Sequence, residues 1–194
     1  MELPTGVGTR PPPAPPMNGG PTRAPQAKVK GLSKAQPSKH GSAIVLYGVE
    51  GFGKTTIAAH RPSVAFILAP QETGYLTLRQ HGLVPDCPII QPESWAELLA
   101  EIDALIANPQ GVGMLALDAM GGFERLCHEH VCQAEFGGEW GEKGFLSYHK
   151  GYEMAINEWL KLLGRLDSFR FKHGISVMML AHANAAMGQL FVGV

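Results

Sequence analysis

The residues Gly48, Val49, Glu50, Gly51, Phe52, Gly53, Lys54 and Thr55 stand at the spacing G-x-x-x-x-G-K-[ST], with Thr56 immediately after. That spacing suits the binding of a chain of phosphates. Glycines let successive backbone N–H groups converge on an anion, and a helix opening at the motif adds the partial positive charge of its N-terminus. Lys54 is then expected to reach the β- and γ-phosphates, and the Thr55 hydroxyl to ligate Mg²⁺. With 24 glycines, 9 lysines and 15 serines plus threonines in 194 residues, the pattern arises by chance in about one such chain in a hundred. A glycine-rich turn between strand and helix is the bland alternative.

Phosphate-transfer chemistry needs a further carboxylate for the metal. The run Met114-Leu115-Ala116-Leu117-Asp118 supplies one at the end of an apolar segment, sixty-three positions beyond Thr55, where it would hold Mg²⁺ through water. Hydrolysis also needs a group that orients and polarises the attacking water. Glu72 follows an apolar segment closely and is the first candidate, an ordinary exposed loop glutamate being the other reading. Gln71 and Glu124 are weaker candidates for the same task. His182, after the last apolar run, is expected to donate to the γ-phosphate and register its loss; a polar strand terminus is its bland reading.

Other constellations suggest chemistry less strongly. Cys127, His128, His130 and Cys132 lie within six residues, but on a helix successive residues point about 100° apart, so the four do not converge on a tetrahedral centre. His128 and Cys132, at i and i+4, make at most half a zinc site. Phe123, Trp140, Phe145, Tyr152 and Trp159 read as core more readily than as a base-stacking platform.

The elements that must position these residues are legible as short apolar runs alternating with helical periods. Ala43–Tyr47, ending at Gly48, reads as a strand buried on both faces. Lys54–His60 reads as a short helix stopped by Pro62, and Ser63–Leu68 as a second strand closed by Ala69-Pro70. Thr77–His81 adds a helical turn. Ser94 and Glu97 form the S-x-x-E cap of a helix whose Leu98, Ile102, Leu105 and Ile106 share a face, and Asn108-Pro109 ends it. Val112–Leu117 is a third strand. A helix then runs from Gly121-Gly122 to about Phe136, and another over Ser147–Lys172, with Met154, Trp159, Leu162, Leu163 and Leu166 as its inward stripe. Ile175–Ala181 is the fourth strand. Strands alternating with helices predict an α/β fold, a parallel sheet covered on both faces with ligands at the carboxyl ends of its strands.

Composition bounds the rest. With 45% hydrophobic and 17% charged residues the chain can bury a sizeable core, which excludes a wholly disordered or coiled-coil protein. No apolar run approaches the roughly 18 residues that span a bilayer, and no basic-then-apolar leader opens the sequence; a cytoplasmic protein without a membrane partner is expected. Three cysteines do not make a disulfide framework. The net charge of −1 hides a split. Residues 1–40 hold nine of the fifteen prolines and a net +5, which leaves −6 for the remaining 154. Having few large apolar residues, this segment cannot offset the entropy of ordering and is expected to be a disordered basic arm, either a solvated leader or an arm that contacts nucleic-acid phosphates. Residues 41–194 form the expected phosphate-binding domain.

With strand, phosphate loop, Glu72, Asp118 and His182 in that order, the chain resembles a RecA-type P-loop ATPase. More narrowly, Ile44–Thr56, Leu115–Gly122 and the stretch from Glu124 through Trp140-Gly141-Glu142-Lys143-Gly144 to Tyr152 resemble the AAA-type ATP-binding proteins of phages and prophages, some of which are similar to RecA-like single-strand-annealing recombinases. The resemblance covers roughly residues 42–183. It implies a three-layer αβα P-loop NTPase fold, with phosphate and Mg²⁺ bound by Lys54 and Thr55, the metal held by Asp118, water activated by Glu72 and the γ-phosphate sensed by His182. It also implies ATP as the nucleotide, single-stranded DNA as a partner, action in phage or prophage DNA recombination or replication, and assembly into a homo-oligomer. A core of that type continues past the sensor strand with more strands and a DNA-contacting loop. Here twelve uncharged residues follow His182, so a domain incomplete at its C-terminus is expected, without an arginine finger in cis. The competing readings are a P-loop kinase acting on a small molecule and a nucleotide-binding module without turnover. A kinase usually needs an arginine-bearing lid, and Arg61, Arg79, Arg125, Arg165 and Arg170 are not clustered in sequence.

Overall fold

A computed structural model of the chain describes residues 39–183; all but the last two residues of the expected basic arm, and the residues after Ala183, lie outside that range. Five strands, β1 (Ala43–Gly48), β2 (Val64–Leu68), β3 (Ile89–Ile90), β4 (Met114–Asp118) and β5 (Ser176–His182), form one sheet in the order β1-β5-β4-β2-β3. Every pairing is parallel. Each crossover is therefore long enough to carry a helix, as parallel strands require. These helices are α1 (Lys54–Ala59), α2 (Gly74–Gln80), α3 (Trp95–Ala107), α4 (Met120–Phe136) and α5 (Lys150–His173), the last preceded by a 3-10 turn at Ser147–His149. None of the described helices is long and apolar enough to cross a membrane.

The two-residue period of the strands divides the core between two faces. Ala65, Ile67, Leu115, Leu117 and Val177 meet buried residues of α3, α4 and α5, among them Trp95, Leu98, Phe123, Leu126, Leu162 and Leu166. Val64, Phe66, Leu68, Ala116, Met178 and Leu180 meet Ala58 and Ala59 of α1 and Tyr75 of α2. The result is the expected three-layer α/β sandwich. β2 and β4 are buried throughout, each large apolar side chain contributing about 1.5–3 kcal/mol.

Local chemistry sets the helix ends. The Ser94 hydroxyl accepts from the Glu97 N–H at 3.2 Å, while the Glu97 carboxylate accepts from the Glu93 N–H at 2.8 Å. The reach back goes one residue beyond the usual capping box. Gly137, at φ +59°, ends α4 in the left-handed region that glycine enters without strain.

Three expectations need correction. β1 is an edge strand, not one buried on both faces: Ala43, Val45 and Tyr47 are exposed, the last two at 62% and 59%. It pairs only with β5 among the described strands, and the core that α3, α4 and α5 build takes residues of β2, β4 and β5 but none of β1. On α5 the buried stripe is Ala155, Leu162, Leu166 and Phe169, with Trp159 packed against it, whereas Met154 and Leu163 are exposed. The heptad-like spacing of 155, 162, 166 and 169 fits the seam on the sheet, and Met154 lies about 100° away from it. The turn expected at Thr77–His81 is the second half of a helix beginning at Gly74. The two-residue β3 carried no recognisable pattern.

Candidate functional site

The register brings the carboxyl ends of four strands to one edge. Gly48 of β1 lies opposite His182 of β5, and Asp118 of β4 lies opposite both Leu180 and Leu68. Ligands of open parallel sheets bind at such an edge.

β1 gives way at Gly48 to a loop in which Gly51 and Gly53 have φ +76° and +82°. A Cβ at either would meet nothing within 4 Å, so the requirement for glycine there is conformational rather than steric. The loop turns directly into α1, whose first residue is Lys54. Lys54 is buried to 5% exposure. Its ammonium donates to the carbonyls of Gly48 and Val49, both at 2.9 Å, and lies 3.5 Å from His182 Nδ1. A buried ammonium needs such partners, and these carbonyls belong to the loop that would wrap a phosphate.

Thr55 donates its hydroxyl to Asp118 Oδ2 at 2.7 Å. Asp118 is 2% exposed. Burial pushes its carboxyl above the ordinary range; the Thr55 hydrogen bond opposes that shift, the Glu72 charge adds to it, and His182 and Lys54 oppose it. A hydroxyl and a carboxylate so close together form a set of hard oxygens that fits Mg²⁺.

Glu72 reaches the same edge through a tethered turn. The Ala69 N–H donates to the Asp118 carbonyl at 2.7 Å, and the Glu72 N–H to the Ala69 carbonyl at 3.0 Å. Gln71 takes φ +67°, and Glu72 Oε1 accepts from the Gly74 N–H at 2.9 Å, where α2 begins. A ligating atom each of Glu72, Asp118 and His182 lie within 4.8 Å of one another. α4 presses on this turn at Gly122, where an added Cβ would stand 2.5 Å from Ala69 Cβ.

A cleft of about 370 Å³ opens over the loop, lined by Glu50, Gly51, Phe52, Gly53, Lys54, Thr55, Thr56, Glu72 and His182. Thus most of the sequence-predicted residues share one cavity, with Gly48 and Val49 contributing carbonyls to Lys54 and Asp118 sitting beneath. Gln71 does not line it. Glu124 lines a separate cavity of about 350 Å³ with Met120, Trp159 and His182. Sequence reasoning missed Gly74, Thr77 and Leu78, which α2 contributes to the cleft wall; Thr73, a residue type favoured at the N-cap position it occupies, was the available signal for a helix starting there.

The remaining constellations are structural in their geometry. Cys127 and Cys132 are buried, and the Cys127 thiol donates to the Ala155 carbonyl at 3.7 Å. Burial pushes the Cys127 thiol up to about 12. His128 packs against the rings of Phe145 and Tyr152, at 5.3 and 5.2 Å between centroids. Phe123 and Phe145 are core residues and Trp159 packs against the core, as expected, but the same expectation fails for Trp140 and Tyr152, which are exposed at 44% and 42%. Arg79, Arg125, Arg165 and Arg170 each pair with a carboxylate: Asp86, Glu129, Asp103 and Asp167.

Comparison with known families places this arrangement in a wider group. The family model described as "AAA domain" matches residues 40–187. No curated protein matches the chain.

Proposed function

We propose, from the premise that the chain belongs to the AAA-domain family, a Mg²⁺-dependent ATPase of RecA type that acts on single-stranded DNA during phage or prophage recombination or replication. One observation carries the nucleotide-binding part: Lys54, Thr55, Asp118, Glu72 and His182, drawn from four separate stretches of sequence, meet at a single sheet edge around a 370 Å³ cleft.

In this reading the ammonium of Lys54 leaves the Gly48 and Val49 carbonyls for phosphate oxygens, exchanging two neutral acceptors for charged ones. The loop N–H groups and the start of α1 bind the same phosphates. Thr55 and Asp118 would hold Mg²⁺, which when bound neutralises charge building on the phosphoryl oxygens. Glu72, held by the Gly74 N–H through Oε1, orients a water and accepts its proton. His182, beside Lys54, bonds to the terminal phosphate and passes its presence or loss to β5. Support for DNA and for a homo-oligomer comes from the resemblance and from the basic composition of residues 1–40, not from this geometry. A kinase has less behind it, since four arginines already pair with carboxylates.

The test is Mg²⁺-dependent ATP hydrolysis with and without single-stranded DNA, on the full chain and on Lys54→Ala. The expected result is DNA-stimulated turnover, with Lys54→Ala weakening nucleotide binding about 10- to 150-fold, the loss of a charge-assisted contact of about 1.5–3 kcal/mol. Binding without turnover would support the non-hydrolysing module, and turnover only with an added small-molecule acceptor the kinase.

A further inference from the structure

The third corner of the carboxylate cluster is an imidazole, and that changes which cations it suits. Glu72 comes from the turn after β2, Asp118 from the end of β4 and His182 from the end of β5, with one ligating atom of each within 4.8 Å of the others. To reach the ~2.1 Å bonds of a tetrahedral ion, each atom need move inward by no more than about 1 Å. Glu72 is only partly buried, with Oε1 tied to the Gly74 N–H and Oε2 left to turn inward, and His182 is exposed, so both can adjust, while the buried Asp118 is held by Thr55. Thr55 is the one side chain that hydrogen-bonds the Asp118 carboxylate among the described residues, and it occupies Oδ2. Two carboxylates offset a dication's charge, and three protein ligands leave a position open for water. Mg²⁺ demands near-octahedral oxygen coordination, whereas imidazole favours Zn²⁺, Co²⁺ and their neighbours.

We propose that Glu72, Asp118 and His182 form a nucleotide-independent site for a first-row transition dication of the Zn²⁺ or Co²⁺ type. The donor set differs from the Thr55 and Asp118 oxygens assigned to Mg²⁺ above, and the site stands whether or not the chain turns over ATP. Its occupation engages Glu72 and His182 together, so the same ion blocks the cleft's chemistry. Lys54 opposes it, because an ammonium 3.5 Å from His182 Nδ1 repels an incoming cation.

The test titrates the untagged, nucleotide-free chain with Co²⁺, following its visible absorption, and then displaces it with Zn²⁺. One Co²⁺ per chain is expected, without a thiolate charge-transfer band and undisturbed by a large excess of Mg²⁺. His182→Ala and Glu72→Gln should each weaken binding at least about tenfold, with unchanged thermal melting showing that both variants fold. Lys54→Ala should bind Co²⁺ as tightly as the parent or tighter while losing nucleotide, which separates this site from the ATPase reading. Absence of Co²⁺ binding, binding indifferent to His182→Ala, a thiolate band, or displacement by Mg²⁺ at comparable concentration would each overturn the proposal.

Discussion

Replacing Glu72 by glutamine isolates one charge with little change of shape. The amide oxygen of the Glu72→Gln variant can still accept the Gly74 N–H, which Glu72 Oε1 accepts at 2.9 Å, so the turn and the start of α2 should hold their places. What disappears is a negative charge within 4.8 Å of the Asp118 carboxylate. Two unit charges at that separation repel by about 3 kcal/mol at an effective dielectric of ~20, and solvent reaching Glu72 reduces this to about 1 kcal/mol. The same charge repels the terminal phosphate. Nucleotide affinity should therefore hold or tighten, by up to about fivefold. Turnover should respond in the opposite direction, because a positioned base contributes about 10²–10⁴ in rate, or roughly 3–5 kcal/mol of barrier. Single-turnover ATP hydrolysis, paired with equilibrium binding of a fluorescent nucleotide, reads both quantities on one preparation. An unchanged rate would remove Glu72 from the chemistry. Parallel loss of binding and rate would show that its role is to shape the cleft.

Three further outcomes follow from the geometry. Thr55→Ala removes the only side-chain donor to the buried Asp118 carboxylate among the described residues, and should cost about 1–3 kcal/mol at neutral pH. Asp118 already titrates above its ordinary value in the folded protein, so its proton is held more tightly folded than unfolded, and ionisation weakens the fold as pH rises. Losing Thr55 raises that value further, and the stability gap between parent and variant, measured by urea unfolding, should narrow as pH falls into the carboxyl range. Gly122→Ala places a Cβ 2.5 Å from Ala69 Cβ; a cost of about 1–3 kcal/mol in thermal unfolding is expected, together with slower hydrolysis, because Ala69 leads to Glu72. In native protein a thiol reagent should find Cys87 quickly and Cys127 and Cys132 only on unfolding, since both are buried. With Cys127 pushed up to about 12 against an unfolded value of 9.0, the unfolded state loses its proton first, so stability should fall as pH rises above about 9.

How much of this was legible follows from the range of each signal. The phosphate loop, the Ser94 cap and the glycine stop at Gly137 are written in residues a few positions apart, and local chemistry dictates them. Asp118 was legible because an apolar run ended in a carboxylate. The meeting of Glu72, Asp118 and His182 needed the neighbour order β5-β4-β2 and its register; parallel strands put their carboxyl ends at one edge without saying which strands lie side by side. The edge position of β1 was not legible: Ala43-Ile44-Val45-Leu46-Tyr47 reads the same whether one neighbour or two lie alongside. α5 misled because it carries a second apolar line, Tyr152, Ile156, Leu160 and Leu163, all exposed, beside the stripe that packs. Periodicity shows that a helix has an apolar side without saying which of two meets the sheet.

β1 ends in Gly48, where the phosphate loop begins, and its six residues are matched only to Val177–His182 among the described strands. A strand hydrogen-bonded along one side turns about half its peptide groups outward. In an amide-exchange experiment those outward N–H groups of Ala43–Gly48 should lose their protons to heavy water long before the corresponding groups of β4, which has partners on both sides. The loop is thus hinged on an edge strand, held by hydrogen bonds along one side among the described strands. Anything that grips the loop should slow exchange along β1, and anything that pairs with its outer side should stiffen the loop, so one six-residue ladder makes the two events report on each other.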